Sequence, residues 1–223
     1  TTEIYTLSLH DALPISHHQL TGIQRVKFTA VEFVTSARSA SGYPRERLPE
    51  IAVVGRSNVG KSSLINTLLK RRGVAKVSGT PGKTRGINYF RINGSFYLVD
   101  LPGYGYAKIS EAERRSWDRM IREYFAETTR RRLVIMIVDI RHALSPLDRT
   151  LREWLEAQAA EYVVVATKAD KLSGNARAAS LRELRAAFPD REILPFSALT
   201  ELGRLELLGR LQRFIKTDQS QDI

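Results

Sequence analysis

The chain contains no cysteine, which excludes a disulfide framework and any thiolate-held metal site. It also lacks a long apolar run: the strongest, residues 133–138, is far short of the roughly 20 apolar residues that a membrane-spanning helix needs. The first residues show neither the basic flank nor the apolar core of a secretory signal. Such a chain needs no oxidising compartment, and a cytosolic setting without a membrane partner fits it.

Acidic residues are in short supply, 24 Asp and Glu against 35 Lys and Arg, for a net charge of +11. The imbalance is concentrated between Arg45 and Arg91, where 11 basic residues face two acids, Glu46 and Glu50. A chain this basic is attracted to polyanions, of which nucleic acid is the commonest large one in a cytosol. A solvated basic face is the alternative, since bound nucleotide phosphates would partly neutralise Lys61 and Lys83.

At 223 residues the chain suits one well-buried domain plus an extension. Residues 1–16, TTEIYTLSLHDALPIS, resemble a translated adapter. Residues 1–20 are therefore set aside as a non-native or disordered extension, with His17 and His18 read as solvated tail. Residues 21–48 are expected to pack on the domain, residues 49–216 to form it, and residues 217–223 to be a disordered tail.

Apolar runs at residues 51–54, 87–90, 96–99, 133–138, 163–166 and 193–196 read as six strands, separated by stretches of helical period. One helix is expected from Ser110, capped in a box with Glu113 and carrying Trp117, Met120, Ile121 and Tyr124 on its inner face. Another starts at Ser145 and Pro146, with Leu147, Leu151, Trp154 and Leu155 at core spacing. Residues 176–188 and 205–214 also read as helices. Alternation of this kind predicts an α/β fold of three layers: a mostly parallel six-stranded sheet with helices on both faces. Ligands then bind beyond the carboxyl ends of the strands.

Motifs follow the strands as that rule requires. Gly55, Arg56, Ser57, Asn58, Val59, Gly60, Lys61 and Ser62 form a P-loop opening the helix that carries Leu64, Ile65, Leu68 and Leu69. Its glycines let backbone N–H groups wrap phosphates, Lys61 reaches the β and γ phosphates, and the Ser62 hydroxyl can coordinate Mg²⁺. Asp100, Leu101, Pro102 and Gly103 end the next motif-bearing strand. There an acid can hold Mg²⁺ through a water and the Gly103 N–H can meet the γ-phosphate. Thr167, Lys168, Ala169 and Asp170 choose the base, because the Asp170 carboxylate accepts from the two adjacent donors on the guanine edge. Adenine would leave that carboxylate unsatisfied. Lys168 would lie along the base plane, and Ser197 and Ala198, after Phe196, can offer backbone N–H to the guanine oxygen.

Taken together, Leu48-Pro49-Glu50-Ile51, residues 55–66, Pro81-Gly82-Lys83-Thr84-Arg85, Asp100 through Lys108, Asp139-Ile140-Arg141-His142 and Thr167 through Asp170 resemble the EngB family of bacterial GTP-binding proteins over residues 26–215. The resemblance implies a P-loop GTPase that uses GTP or GDP and Mg²⁺. It implies Thr84 as the second Mg²⁺ ligand, within a first switch running from about Gly73 to Arg85. The nucleotide site it implies also includes Ser63, Gly82, Lys83, Arg85 and Gly86. It further implies a monomeric bacterial cytosolic protein for assembly of the large ribosomal subunit, linked to normal septation.

Three points bear on mechanism. Tyr104 stands where many GTPases have a Gln that orients the attacking water, so intrinsic hydrolysis is expected to be slow. Related GTPases with Asn at the Asn58 position hold K⁺ there, and the same is expected here. Thr167 replaces an Asn whose amide would tie the base loop to the P-loop, so a weaker tie and modest affinity are expected. The glycine-hinged segment Tyr104-Gly105-Tyr106-Ala107-Lys108 either uses exposed aromatics to stack on bases or dock a protein, or forms a strained turn packed on the next helix. Alternatives to the GTPase reading are a P-loop ATPase or small-molecule kinase, and a nucleotide-stabilised scaffold for division proteins.

Overall fold

The computed structural model describes residues 28–75, 86–104, 111–127, 129–142 and 144–219. Seven strands form one sheet in the order β1-β3-β4-β2-β5-β6-β7: β1 (Val31–Ala37), β2 (Glu50–Gly55), β3 (Ile87–Ile92), β4 (Phe96–Asp100), β5 (Arg132–Asp139), β6 (Glu161–Thr167) and β7 (Ile193–Pro195). Strands β4, β2, β5, β6 and β7 are mutually parallel, whereas β3 runs antiparallel to both β4 and β1.

Six strands were expected, and β1 is the seventh. Its side chains are mostly exposed or half-buried, because it lies at the sheet edge, so it lacks the continuous apolar run that marks the inner strands. The pairing of Ala37 with Ile87 carries β1 up to the start of β3.

The central strands are apolar throughout because both of their faces are covered. Ala52, Val54, Val134, Met136, Val138, Val164 and Ala166 face one core, and Ile51, Val53, Leu133, Ile135, Ile137, Val163 and Val165 face the other. The first core is closed by α2 (Glu111–Ala126), α3 (Pro146–Ala157) and α4 (Gly174–Ala187); the second is closed by α1 (Lys61–Leu69) and α5 (Arg204–Gln219). Opposite burial of alternate residues is the period of two that a strand imposes.

Local sequence sets most boundaries. Ser145 caps α3 by accepting from the Asp148 N–H while Asp148 accepts from the Ser145 N–H, a reciprocal capping box followed by Pro146 in the first turn. Leu151 and Leu155 are buried as their spacing predicts, but Leu147 is 45% exposed. Helix α4 begins at Gly174 behind a Ser173 cap, two residues before the expected start. Helix α5 continues to Gln219, so residues 217–219, read as part of a disordered tail, are helical. Ser110, the expected cap of α2, lies outside the described residues.

A buried ionic cluster holds the end of the sheet opposite the P-loop. Glu50, fully buried at the start of β2, accepts from the Tyr124 hydroxyl at 2.7 Å, from Arg130 at 3.1 Å and from Arg132 at 3.0 Å. The Arg132 guanidinium also stacks over the Tyr124 ring at 3.9 Å. Burial is the main reason that the Tyr43 phenol beside this cluster is pushed up to about 12.

Candidate functional site

Four loops meet at the carboxyl ends of β2, β4, β6 and β7. The loop after β2 turns through Asn58 at φ +63° and Gly60 at φ +106° before α1 begins. The Gly60 conformation is one that a side chain strongly disfavours. Close packing constrains Gly55 instead: a Cβ there would stand 2.9 Å from Val59 Cγ1 and 3.1 Å from Ile137 Cβ.

The two sides of this loop have different partners. Its carbonyls are taken by the base loop, the Asn58 oxygen accepting from Lys168 Nζ at 2.8 Å and the Val59 oxygen from the Thr167 hydroxyl at 2.6 Å. Among the described residues, the N–H groups of Asn58, Gly60, Lys61, Ser62 and Ser63 meet no protein acceptor, and the first helical bond of the turn runs from Leu64 to Gly60. A row of unpaired donors at the start of a helix is an arrangement for anionic oxygens. Lys61, buried at the same point, forms an ion pair with buried Asp100 at the end of β4.

Gly103 is stacked on the P-loop. A Cβ on it would lie 3.3 Å from the Ser57 nitrogen, and the Ser57 N–H donates to the Tyr104 carbonyl at 2.9 Å. Leu101 and Pro102 are buried behind it. Tyr104 itself is buried, its hydroxyl donating to Asp148 at 3.0 Å and its ring 5.8 Å from that of Trp117. Of the two readings of this segment, Tyr104 follows the second: it packs on the next helix. Residues 105–110, including Tyr106 and Lys108, lie outside the described residues.

The expectation of a weak tie at Thr167 is also corrected. Its hydroxyl reaches both the Val59 and the Val138 carbonyls, at 2.6 and 3.0 Å, so a single O–H on a shorter side chain joins the base loop to the P-loop. Lys168, at φ +63°, adds a second tie. Its ammonium also meets Asp139 at 2.8 Å. Burial pushes the Asp139 carboxyl up, but hydrogen bonds from Arg141 and Lys168 outweigh it and hold the group well below the usual carboxylate range.

Asp170 sits in a single 3-10 turn with Ala169 and accepts from the Ser197 hydroxyl at 2.7 Å. That bond is the main reason its carboxyl titrates below the ordinary value, with Lys171 adding to it against partial desolvation. The Ser197 hydroxyl accepts in turn from the N–H groups of Leu199 and Thr200. The Ser197 backbone N–H donates to the Leu202 carbonyl, so of the pair expected to offer N–H to a base, Ala198 alone has one without an acceptor among the described residues. Phe196 is buried in the core, and its carbonyl accepts from Ala169.

Of the remaining expected site residues, Gly82, Lys83, Thr84 and Arg85 lie outside the described residues. Gly86 stands against β1, where a Cβ would be 2.8 Å from Ser36 Oγ. Reasoning from sequence gave no role to Asp139, which orients Lys168, or to Asp148, which receives Tyr104 and lies 3.6 Å from Arg56 Nε. The position of Asp139 at the end of β5, next to both the P-loop strand and the base-loop strand, is the signal that marks it.

A sheet of this order with a donor-lined P-loop, an Asp-x-x-Gly turn and a Lys-x-Asp base loop at its strand ends is that of a P-loop GTPase. A model described as 50S ribosome-binding GTPase matches residues 50–168. The chain is 46% identical over 193 residues to the probable GTP-binding protein EngB of Pelotomaculum thermopropionicum, a match covering 85% of this chain and 98% of that one. It is 47% identical over 189 residues to the EngB of Clostridium perfringens, covering 83% and 96%. Among solved structures, a probable EngB GTP-binding protein matches with a TM-score of 0.64 at 23% identity, over 75% of this chain and 99% of that one. Aquifex aeolicus Era bound to GDP and AlF4⁻ matches with a TM-score of 0.62 at 25% identity, over 76% and 57%. The chain belongs to the EngB family of GTP-binding proteins and is a GTPase.

Proposed function

We propose that this GTPase works as an ordering switch in assembly of the large ribosomal subunit, in the bacterial cytoplasm, and that normal division and septation depend on that role. The observation that supports the reading is the division of labour in the P-loop: its carbonyls are held by Lys168 and Thr167, while the N–H groups at the start of α1 have no acceptor among the described residues and are free for phosphate oxygens. Base and phosphate loops are thereby one unit, so selection of the base by Asp170 sets the register of the triphosphate.

Within that site Lys61 exchanges its Asp100 partner for β and γ phosphate oxygens. The donor set suits Mg²⁺, a hard cation that binds few carboxylates and keeps waters: the Ser62 hydroxyl and Thr84 as direct ligands, and Asp100 through water. Mg²⁺ there neutralises charge on the phosphates. Asn58, exposed on the loop, is the residue for K⁺. Gly103 gives its N–H to the γ-phosphate, and with Thr84 it orders both switch segments until hydrolysis releases them. Because the Tyr104 hydroxyl is engaged by Asp148, it does not orient water, and slow intrinsic turnover follows. The family's description as ribosome-binding and the net charge of +11 support an rRNA-bearing partner.

Co-sedimentation with large subunits and their precursors tests this reading. Retention in the presence of a non-hydrolysable GTP analogue, lost with GDP or without nucleotide, is expected. Equal retention in all three, removed by salt, would reduce the basic surface to nonspecific adhesion.

A further inference from the structure

The carboxylate of Asp148 has more partners than a helix cap needs. One oxygen, Oδ2, completes the cap by accepting from the Ser145 N–H at 3.1 Å and the Ser145 hydroxyl at 2.7 Å. The other, Oδ1, receives the Tyr104 hydroxyl at 3.0 Å. Arg56 Nε, a buried donor with no hydrogen-bond acceptor among the described residues, lies 3.6 Å from Oδ2. The side chain of Asp148 is only 3% exposed, so water contributes little to satisfying these groups. The P-loop, the Asp-x-x-Gly turn and α3 thus converge on one buried anion.

The backbone adds to that convergence. Arg56 and Tyr104 form a parallel bridge, the Ser57 N–H donates to the Tyr104 carbonyl, and Trp117 Nε1 donates to the Pro102 carbonyl at 3.0 Å. Gly103 lies between Pro102 and Tyr104, so its N–H is aimed by contacts on both sides. We propose that Asp148 is a positioning residue for recognition of the γ-phosphate: by holding the Tyr104 hydroxyl it fixes the Gly103 N–H beside the P-loop. The inference rests on the role given to Gly103 above. Burial, reinforced by the neighbouring Asp148 charge, keeps the Tyr104 phenol protonated and therefore a donor. Any shift of Gly103 must carry Tyr104 with it or break its bond to α3, so the start of α3 is coupled to the presence of the γ-phosphate.

Affinities of the full chain for fluorescent GDP and for a non-hydrolysable GTP analogue decide the matter, measured for wild type, Tyr104→Phe, Asp148→Asn and the double variant, with a melting temperature for each. Tyr104→Phe keeps the ring against Trp117 and removes only the hydroxyl. It is expected to weaken the analogue by roughly ten- to a hundredfold, the worth of one hydrogen bond to a charged group, and to leave GDP within about twofold, since GDP has no γ-phosphate for Gly103 to meet. The double variant is expected to be no worse than the weaker single, as for two ends of one contact. Equal loss for both nucleotides, no loss for either, or additive losses in the double variant would overturn the inference alone. Wild-type protein binding neither guanine nucleotide would overturn it together with the guanine reading. Should Asp148→Asn fail to fold because its cap is weakened, the split between nucleotides in Tyr104→Phe decides by itself.

Discussion

The hydroxyl of Thr167 donates to the carbonyl of Val59 across 2.6 Å, from the end of β6 to the phosphate loop of β2. One short side chain therefore fixes the distance between the loop after β6 and the loop after β2. Replacing Thr167 with Val removes the donor and leaves buried carbonyls less satisfied, a loss of about 1–3 kcal/mol. Thermal unfolding of the apo protein is expected to show it, with weaker binding of GDP and GTP alike. Thr167→Ser keeps the donor and is expected to retain most of both. Unchanged stability and affinity in Thr167→Val would contradict the tie.

Asp170 is oriented by Ser197 at 2.7 Å. Asp170→Asn replaces an acceptor-only edge with one that also donates, which matches xanthine rather than guanine. GTP affinity is expected to fall by at least about a hundredfold, as for sites built to pair specific polar groups, while xanthine nucleotides gain. Competition of XDP and GDP against a labelled nucleotide measures the change, and an unaltered preference for guanine would refute the assignment.

Acid is expected to loosen the joint between base loop and P-loop. The Asp139 carboxyl titrates below its ordinary value in the folded protein, so the folded state binds fewer protons than the unfolded one in the acid range. Its contribution is fully present above the unfolded value of about 3.9 and is lost as the pH falls below it. Melting temperatures of wild type are expected to drop steeply below about pH 4, and Asp139→Asn is expected to be less stable at neutral pH with a shallower acid limb. Parallel pH profiles for the two proteins would argue against the Lys168 and Arg141 contacts.

Glu50 anchors the opposite end of β2, buried between Arg130 and Arg132. Glu50→Gln leaves the buried Arg132 guanidinium without its counter-charge and Arg130 with Glu127 alone, at a cost of about 3–5 kcal/mol. Urea unfolding measures the loss. Nucleotide affinity of the folded protein is expected to hold, because the P-loop leaves β2 at its other end, after Gly55.

What could be read without coordinates was whatever local chemistry or periodicity dictates. The inner strands announced themselves as apolar runs because both faces are covered, and the motifs fell at strand ends because parallel sheets place their loops there. The edge strand β1 stayed hidden: with Phe33 57% exposed and Val34 38% exposed, its composition carries no burial signal. Likewise Leu147 sits at a core spacing yet is 45% exposed, since spacing gives the face of a helix but not what packs against each position on it.

The amino-acid sequence by itself determined the GTPase class and the layered α/β architecture, since each depends on residue types at short spacing. Only the tertiary structure decided that Thr167 makes the tie its shorter side chain was expected to weaken, that Tyr104 is turned inward, and that Asp139 and Asp148 join the site. Those contacts link residues 29 to 108 positions apart, and it is the strand order that brings them together; no local preference encodes a distance that the whole sheet sets.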